Sequence, residues 1–245
     1  MVGQLIIGTL AEQAFEAIYR ERLGKSEFKL DDYRGVRIDT DYRVLNGGGR
    51  PLFRINSKFH GSRFRQAKEM VGLEPEDCFP LATYKIWSAR QKEDAEHLPY
   101  LFLVISTPIT AESVAAQVPE EFRTLVRYVH ASSVAEGKRT LEERIVDRLL
   151  EDLTFEVHAA KWRTDLANAT WRVFSARRAE KLLREKLWER VFAVRTRNFT
   201  QAFRNAELDM HFSLSVDMTP LEDLLTILAK EGSQAIVGRC TAGVM

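Results

Sequence analysis

Two pairs of polar residues stand on neighbouring predicted strands, and their types suit metal-assisted hydrolysis of a phosphate ester. Asp39 and Asp41 are two positions apart, as are Asn56 and Lys58. Because side chains alternate between the faces of a strand, each pair shares a face. Carboxylate and amide oxygens are ligands for Mg²⁺, and a nearby ammonium can orient an attacking water and offset charge on a phosphate. The pattern predicts a hydrolytic site that uses Mg²⁺, with Mn²⁺ as a possible substitute.

A predicted β-hairpin brings the two pairs together. Residues Gly35–Leu45 and Leu52–Phe59 have the composition of strands, and the segment Asn46–Pro51 between them is a glycine-rich turn. Taken singly, each charged residue of such a hairpin is better explained as part of an exposed set of cross-strand salt bridges. Their combination on one hairpin favours a site.

The helix before the hairpin offers a further carboxylate. Apolar residues recur at three- to five-residue steps from Ile7 to Leu23, and Gly24 marks the end of the helix. Glu12 and Glu16 lie one helical turn apart beside this apolar stripe. Either of them is placed to approach the hairpin if the helix packs on the sheet.

A second helix and a buried strand are predicted after the hairpin. Pro80 suits the first turn of a helix, because its missing N–H and fixed φ are tolerated there, and this helix is predicted to reach Glu96. The continuous apolar run Pro99–Ser106 predicts a strand inside a sheet that is covered on both faces. The predicted order up to residue 107 is helix, strand, strand, helix, strand.

The second half of the chain is predicted to be rich in helix. Apolar periodicity indicates helices over about 111–117, 120–130, 138–152 and 176–193. Three further elements are predicted: a strand over 208–218, a helix from Thr219-Pro220 to Lys230 that Gly232 ends, and a short strand over 235–239. No flexible linker is visible near Thr107-Pro108, so a second domain would pack directly on the first.

The order of these elements resembles that of the PD-(D/E)XK nuclease superfamily. The motif that carries the resemblance is Ile55-Asn56-Ser57-Lys58 after a Gly-x-x-x-Asp strand, and it is most similar to the Mrr-type restriction and defence nucleases. The resemblance extends over about residues 5–107. It implies an α/β fold in which residues 1–107 form a restriction-endonuclease-like core, a mixed β-sheet flanked by helices. Residues 108–245 would form a helix-rich C-terminal region that binds nucleic acid or a protein partner.

The resemblance also implies roles for individual residues. Asp41 would be the metal-binding acid, with Asp39 as the alternative or as an assisting group, and Lys58 would be the catalytic lysine. Glu12 would be the acid on the helix, with Glu16 as its alternative. Asn56 stands where the family usually has Glu, Asp or Gln. Because an amide supplies only one neutral oxygen, metal binding by Asp41, Asn56 and Glu12 should depend chiefly on the two carboxylates.

The function that follows from the resemblance is Mg²⁺-dependent hydrolysis of DNA phosphodiester bonds, in a restriction or anti-phage defence system. DNA is expected as substrate rather than RNA, and a protein partner or an oligomer is possible. The alternative is a catalytically weak or inactive subunit that binds nucleic acid or supports assembly of a defence complex. A third interpretation is an interaction module that binds protein through its helical half.

Charge along the chain suggests where nucleic acid could bind. Residues 161–204 contain 12 Lys and Arg against 4 Asp and Glu, whereas the whole chain has a net charge of only +1. Within this block the candidate contacts are Arg177, Arg178, Lys181 and Arg184. The same sequence also contains opposite charges at helical spacing, so a solvated helix face explains it equally well.

Composition excludes several classes of protein. The chain has 245 residues, of which 45% are hydrophobic and 29% charged, which is typical of a folded protein and not of a disordered one. Cys78 and Cys240 lie far apart without metal-ligand spacing, which argues against a disulfide framework or a zinc finger. The run Tyr100–Ile105 is far shorter than the ~20 residues of a membrane span. A soluble, cytoplasmic protein without membrane association is expected.

Overall fold

The computed structural model of the protein describes residues 2–34, 40–61, 63–124, 153–195 and 210–245. Its architecture is α/β: a mixed six-stranded sheet has helices on both faces, and a second sheet of three strands packs beside it. Five of the fully described helices lie after residue 107. The α/β class with a helical C-terminal part is therefore confirmed.

The described elements alternate between helix and strand along most of the chain. The helices are α1 (Val2–Leu23), α2 (Ala67–Val71), α3 (Thr83–Glu96), α4 (Ala111–Gln117), α5 (Leu153–Ala167), α6 (Ala176–Glu185), α7 (Leu187–Arg190) and α8 (Leu224–Ala242). The strands are β1 (Lys29–Asp32), β2 (Tyr42–Leu45), β3 (Pro51–Phe59), β4 (Cys78–Ala82), β5 (Tyr100–Ser106), β6 (Thr170–Ser175), β7 (Val191–Arg195), β8 (Met210–Asp217) and β9 (Glu222–Asp223).

The six-stranded sheet has the strand order β1-β2-β3-β5-β6-β9. β1, β2 and β3 form an antiparallel meander, which includes the predicted hairpin, and β5 returns parallel to β3 after a crossover that contains α3. β5 lies between two neighbours and is buried from Tyr100 to Ile105, as its apolar run predicts. β6 then pairs antiparallel with β5.

The first helix packs on one face of this sheet. Ile7, Leu10 and Phe15 of α1 are fully buried in one apolar cluster with Ile55 and Leu103, which project from that face of β3 and β5. Burial of a side chain of this size contributes about 1.5–3 kcal/mol. This packing turns one flank of α1, which carries the glutamates, towards the end of β3.

Gly24 ends α1 for a steric reason. Its N–H bonds to the carbonyl of Arg20 at 2.9 Å. A Cβ at this position would lie 2.2 Å from the same carbonyl oxygen, so only glycine fits without a shift of the backbone. The predicted first helix and its end are confirmed.

The opposite face of the sheet is covered by α3 and α6. Ile86 and Leu183 of these helices pack in a second cluster with Phe102 and Phe174. The rings of the two phenylalanines, on adjacent strands, are 5.4 Å apart between centroids. Both faces of β5 are thus covered by helix.

The predicted helix start at Pro80 is wrong. Pro80 lies in β4, opposite Ser215 of β8, and α3 begins only at Thr83. The three-stranded sheet has the order β4-β8-β7, which makes β4 an edge strand. An edge strand tolerates proline because the missing N–H can fall on the unpaired side.

The predicted start and end of the helix near the C-terminus, and the strand predicted after it, are also wrong. The helix begins at Leu224 and not at Thr219-Pro220, since the Asp223 carboxylate caps it by accepting from the Thr226 N–H at 2.9 Å. Gly232, with φ 76° and ψ 179°, kinks the helix and does not end it. Residues 235–239 are accordingly helical and do not form a strand.

Several other predictions can be compared with the structure. The predicted helix 176–193 divides into α6 and α7, after which the chain enters β7. β6 and β9 join the same sheet as β1, β2, β3 and β5, so the sheet extends across the predicted boundary at residue 107. The predicted helix 138–152, and residues 35–39 of the first predicted strand, lie outside the described residues. In the described ranges, no helix combines the length and apolar character needed to cross a membrane.

Candidate functional site

The hydroxyl of Ser57 is the point at which two carboxylates from different elements meet. Ser57 Oγ lies 2.7 Å from Asp41 Oδ2 and 3.3 Å from Glu12 Oε1. The Ser57 backbone N–H also donates to Asp41 Oδ2, at 2.6 Å. Two acids, separated by 29 positions in the sequence, are therefore held on one side chain of β3.

Local strand geometry explains the position of Asp41. β2 pairs with β3 in a register that places Tyr42 opposite Ile55, and β2 begins at Tyr42. Beyond that point β3 has no backbone partner from β2. The carboxylate of Asp41 replaces the missing carbonyl and accepts from the Ser57 N–H, which satisfies a donor that would otherwise remain unpaired.

Lys58 brings a positive charge to the same end of β3. Its ammonium donates to the Ser57 carbonyl at 2.8 Å. Burial and the nearby charge of Lys85 lower the pKa of Lys58 to about 8, although Asp41 and Glu12 act in the opposite direction. A lysine with this pKa is charged at neutral pH and can release its proton at moderately alkaline pH.

Lys85 is the second cation of this region. It lies in the first turn of α3. Loss of hydration lowers its pKa, whereas the carboxylate of Asp41 opposes that change. Two cations from β3 and α3 therefore share an electrostatic environment with Asp41 and Glu12.

Arg34, just after β1, connects the glutamates of α1 to the sheet edge. Its guanidinium contacts Glu12 Oε2 at 3.2 Å and Asp32 Oδ2 at 2.7 Å, and it pairs with Glu16. It also lies over the ring of Tyr42, 5.2 Å from the centroid. The hydrogen bond to Asp32 is the main cause that raises the pKa of Arg34, so its charge is permanent.

A cavity of about 360 Å³ adjoins this network, and neither Ser57 nor Glu12 is among the residues that line it. Its polar lining is formed by Glu16, Arg20, Lys29, Asp32 and Tyr42. The Tyr42 hydroxyl donates to Glu16 Oε1 at 3.2 Å, and burial raises the pKa of Tyr42. Glu16 thus belongs to the cavity wall, whereas Glu12 faces the hydroxyl of Ser57.

Glu12 and Asp41 meet at Ser57, and Lys58 lies close enough for the charges of both acids to oppose the lowering of its pKa. Asn56 is half-buried on β3, and within the described residues its side chain makes no hydrogen bond. Asp39 lies outside the described residues. Asp41 and Lys58 form no ion pair in the described part of the chain, because Asp41 is occupied by Ser57.

Ser57 and Arg34 are the residues that sequence reasoning missed. Ser57 occupies the variable middle position of the motif, and the motif predicts no role for the residue at that position. Arg34 precedes the predicted hairpin in a short run of charges, Asp31-Asp32-Tyr33-Arg34. That run was the one available signal, and it does not reveal that Arg34 reaches across to α1.

The donor chemistry of this cluster suits a hard divalent cation. Mg²⁺ in enzymes is commonly held by one or two carboxylates, with waters and substrate phosphates completing its shell. Glu12 and Asp41 supply two carboxylates, and Ser57 adds a neutral oxygen. Across the described ranges, no three His, Cys, Asp or Glu side chains are grouped as in a complete protein cage for a metal.

The basic residues of α6 are mostly engaged with neighbouring groups. Arg177 pairs with Glu93 of α3, a carboxylate that is only 3% exposed, and Arg184 pairs with Glu180 at 2.8 Å. Arg178 donates to the backbone carbonyl of Val244 at 3.2 Å. Lys181 is exposed and has no ion pair with any described residue.

The comparisons with known proteins give no relative. No family model, no curated protein and no solved structure matches the chain significantly. The interpretation of the site therefore depends on its geometry and chemistry.

Proposed function

We propose that the protein is a Mg²⁺-dependent nuclease that hydrolyses phosphodiester bonds, with DNA as its substrate. The observation that carries the proposal is the meeting of Glu12 and Asp41 at Ser57, beside a lysine whose pKa is lowered to about 8. Carboxylates for a hard cation and an ammonium for a phosphate are the components that this chemistry requires.

The topology supports the finer assignment to a restriction-endonuclease-like core. A helix precedes a three-stranded meander, and a helical crossover leads to a strand parallel to the third. The acid lies just before the second strand and the lysine near the end of the third. The resemblance implies the order helix, strand, strand, helix, strand, and the structure adds β1 before the acid and α2 and β4 within the crossover. The role in restriction or anti-phage defence is implied by that resemblance alone.

The residues of the candidate site would have different roles in the reaction. Glu12 and Asp41 would hold Mg²⁺, with Ser57 keeping the Asp41 carboxylate in place. When bound, the ion supplies Lewis-acid polarisation of the phosphate and a more acidic water. Asp41, held by two hydrogen bonds from one residue, contributes a carboxylate with a defined orientation.

Lys58 would act on charge and on the proton of the water. In its charged form it offsets the negative charge that builds on the phosphate, and in its neutral form it can accept a proton. Lys85, in the first turn of α3, adds a second positive charge that helps to neutralise the nucleic-acid backbone.

Cleavage assays test this proposal directly. Duplex, single-stranded and branched DNA should be cut in Mg²⁺ or Mn²⁺, and Lys58→Ala should lower the rate at least about a hundredfold, as expected for loss of a proton-transfer group. Asp41→Asn should reduce metal-dependent cleavage more than Asp39→Asn. Lys25→Ala, at an exposed lysine on the turn after α1, is the matched control and should cut normally.

Two results would contradict the nuclease proposal. One is full activity in a correctly folded Lys58→Ala protein. The other is cleavage that persists unchanged in EDTA, since the proposed chemistry requires a divalent ion.

A non-catalytic subunit that binds nucleic acid is the second candidate. The position of Asn56 favours it, because Asn replaces the Glu, Asp or Gln that the nucleases it resembles usually carry there. This candidate predicts salt-sensitive binding to nucleic acid without cleavage in any divalent ion. The same substrate panel therefore separates the two functions.

A further inference from the structure

We infer that Arg34 sets the metal affinity of the candidate centre by competing with the ion for the carboxylate of Glu12. The inference rests on the proposed function, since it concerns the same centre. It makes Arg34 a positioning residue for the reaction, acting through Glu12.

The two oxygens of Glu12 face two different partners. Oε1 points to Ser57 Oγ at 3.3 Å, on the side of Asp41, whereas Oε2 contacts Arg34 Nη1 at 3.2 Å. An ion that binds between Glu12 and Asp41 must share the Glu12 carboxylate with a fixed positive charge. Arg34 therefore lowers the affinity of Glu12 for any cation.

The other contacts of Arg34 keep its side chain in position when the contact with Glu12 is broken. The guanidinium also contacts Asp32 and Glu16 and lies over the ring of Tyr42. The carboxylates of Asp32 and Glu16 remain as partners of Arg34 when Glu12 turns towards a metal. The Arg34 side chain is only 21% exposed, so water screens its charge incompletely.

The size of the effect follows from Coulomb's law. A divalent ion about 6 Å from a guanidinium, in a dielectric close to that of water, is repelled enough to weaken binding about tenfold. Removal of the charge should therefore tighten metal binding by about that factor. If Arg34 only held Glu12 in position, a neutral substitution at Arg34 would instead weaken metal binding.

The chain provides a matched control at Arg20. Arg20 pairs with Glu16 Oε2 at 3.1 Å, but its side chain is 76% exposed. It has no contact with Glu12 among the interactions of the described residues. Arg20→Gln removes the same charge from the same network and should leave metal affinity within about twofold, because an exposed charge is well screened.

The experiment measures binding of Mn²⁺ to the full-length protein by electron paramagnetic resonance, without substrate. Arg34→Gln should lower the Kd about tenfold relative to wild type, whereas Arg34→Lys, which keeps the charge, should stay close to wild type. Arg34→Met, whose chain can still cover the Tyr42 ring, carries the test if the glutamine variant does not fold. Asp41→Asn should abolish the binding.

The outcomes separate this inference from the proposed function. Unchanged or weaker binding in folded Arg34→Gln or Arg34→Met overturns the competition, and so does an equal gain in Arg34→Lys. If wild type binds Mn²⁺ and Asp41→Asn does not, the candidate centre survives that failure. If neither wild type nor the neutral Arg34 variants bind Mn²⁺, both the centre and the inference are wrong.

Discussion

At the scale of single residues, the site owes its character to charges that are kept partly out of water. The carboxylate of Asp41 is bound by two donors of Ser57, and the ammonium of Lys58 is bound by one carbonyl. Neither group is paired directly with the other. Each charge therefore remains able to act on a third partner, such as a metal ion or a phosphate.

The lowered pKa of Lys58 predicts how stability depends on pH. A folded pKa of about 8, below the ordinary value of about 10.4, means that the unfolded chain binds more protons between these values. The contribution of Lys58 to the free energy of unfolding should therefore be least favourable below pH 8. It should rise between about pH 8 and 10.4 by about 1–2 kcal/mol, after allowance for solvent screening of a half-buried group.

Urea unfolding of wild type and Lys58→Met from pH 7 to 10 measures this change. The difference in unfolding free energy between the two proteins should shift in favour of wild type as pH rises. Lys25→Met, at an exposed lysine, should keep a constant difference from wild type. A pH-independent difference for Lys58→Met would show that Lys58 titrates alike in both states.

What could be predicted of the site follows from residue type and spacing. Residue type, the turn at 46–51 and the periodicity of the first helix made Glu12, Asp41 and Lys58 predictable as candidates. Strand alternation does not place them on one face, because Ser57 and the adjacent Lys58 point to opposite faces of β3. The roles of Ser57 and Arg34 could not be predicted. They depend on where β2 ends relative to β3 and on how β1 lies beside α1, and both are tertiary relations.

At the scale of elements, turns and apolar runs predicted the hairpin and the buried strand correctly. Proline and glycine instead gave a wrong helix start and a wrong helix end. Pro80 suits a helix start locally, but its position at a sheet edge outweighs that preference. Gly232 suits a helix end, but the helix continues beyond it and buries Ile236 and Cys240 in the core. Packing outweighs the local signal at both positions.

The contact between α3 and α6 gives a prediction at this scale. Glu93 is 3% exposed and contacts Arg90 Nη1 at 3.0 Å as well as Arg177. Arg177→Ala leaves this buried carboxylate with one partner fewer and should lower the free energy of unfolding by about 2–3 kcal/mol. This is less than the loss expected when a fully buried pair is broken, because Arg177 is partly exposed.

Thermal or urea unfolding checks this prediction against Arg184→Ala. Arg184 pairs with Glu180 on the helix surface and is 68% exposed, so its loss should change stability by less than about 1 kcal/mol. Equal effects of the two substitutions would show that the Glu93 contact adds nothing to the docking of α6.

At the scale of the whole molecule, the two halves of the chain form one structure around the six-stranded sheet. β6 and β9 extend the sheet beyond β5, and α6 covers the face that α3 also covers. The sequence shows no linker at residue 107, which agrees with this joint sheet. The basic helix α6 is consequently fixed to the layer that carries Lys85, and any nucleic acid bound along it would be held in a defined position relative to Lys58.

The charge of α6 predicts how binding depends on salt. Arg177 is committed to Glu93, and Arg178 donates to the carbonyl of Val244. Of the remaining exposed cations, Lys181 has no ion pair with any described residue, and Arg184 must leave its surface pair with Glu180 to meet a phosphate. Each phosphate contact that is lost should lower the magnitude of the slope of log K against log salt by about 0.9 on duplex DNA. The double variant Lys181→Ala/Arg184→Ala should therefore flatten the slope by about 2 and weaken binding at low salt, as measured by fluorescence anisotropy.

The control is Arg22→Ala/Lys25→Ala, which removes two exposed charges near the end of α1 and should leave the slope unchanged. If the α6 variant also keeps the wild-type slope, its charges serve only to solvate the helix, because counterion release requires contact with phosphate.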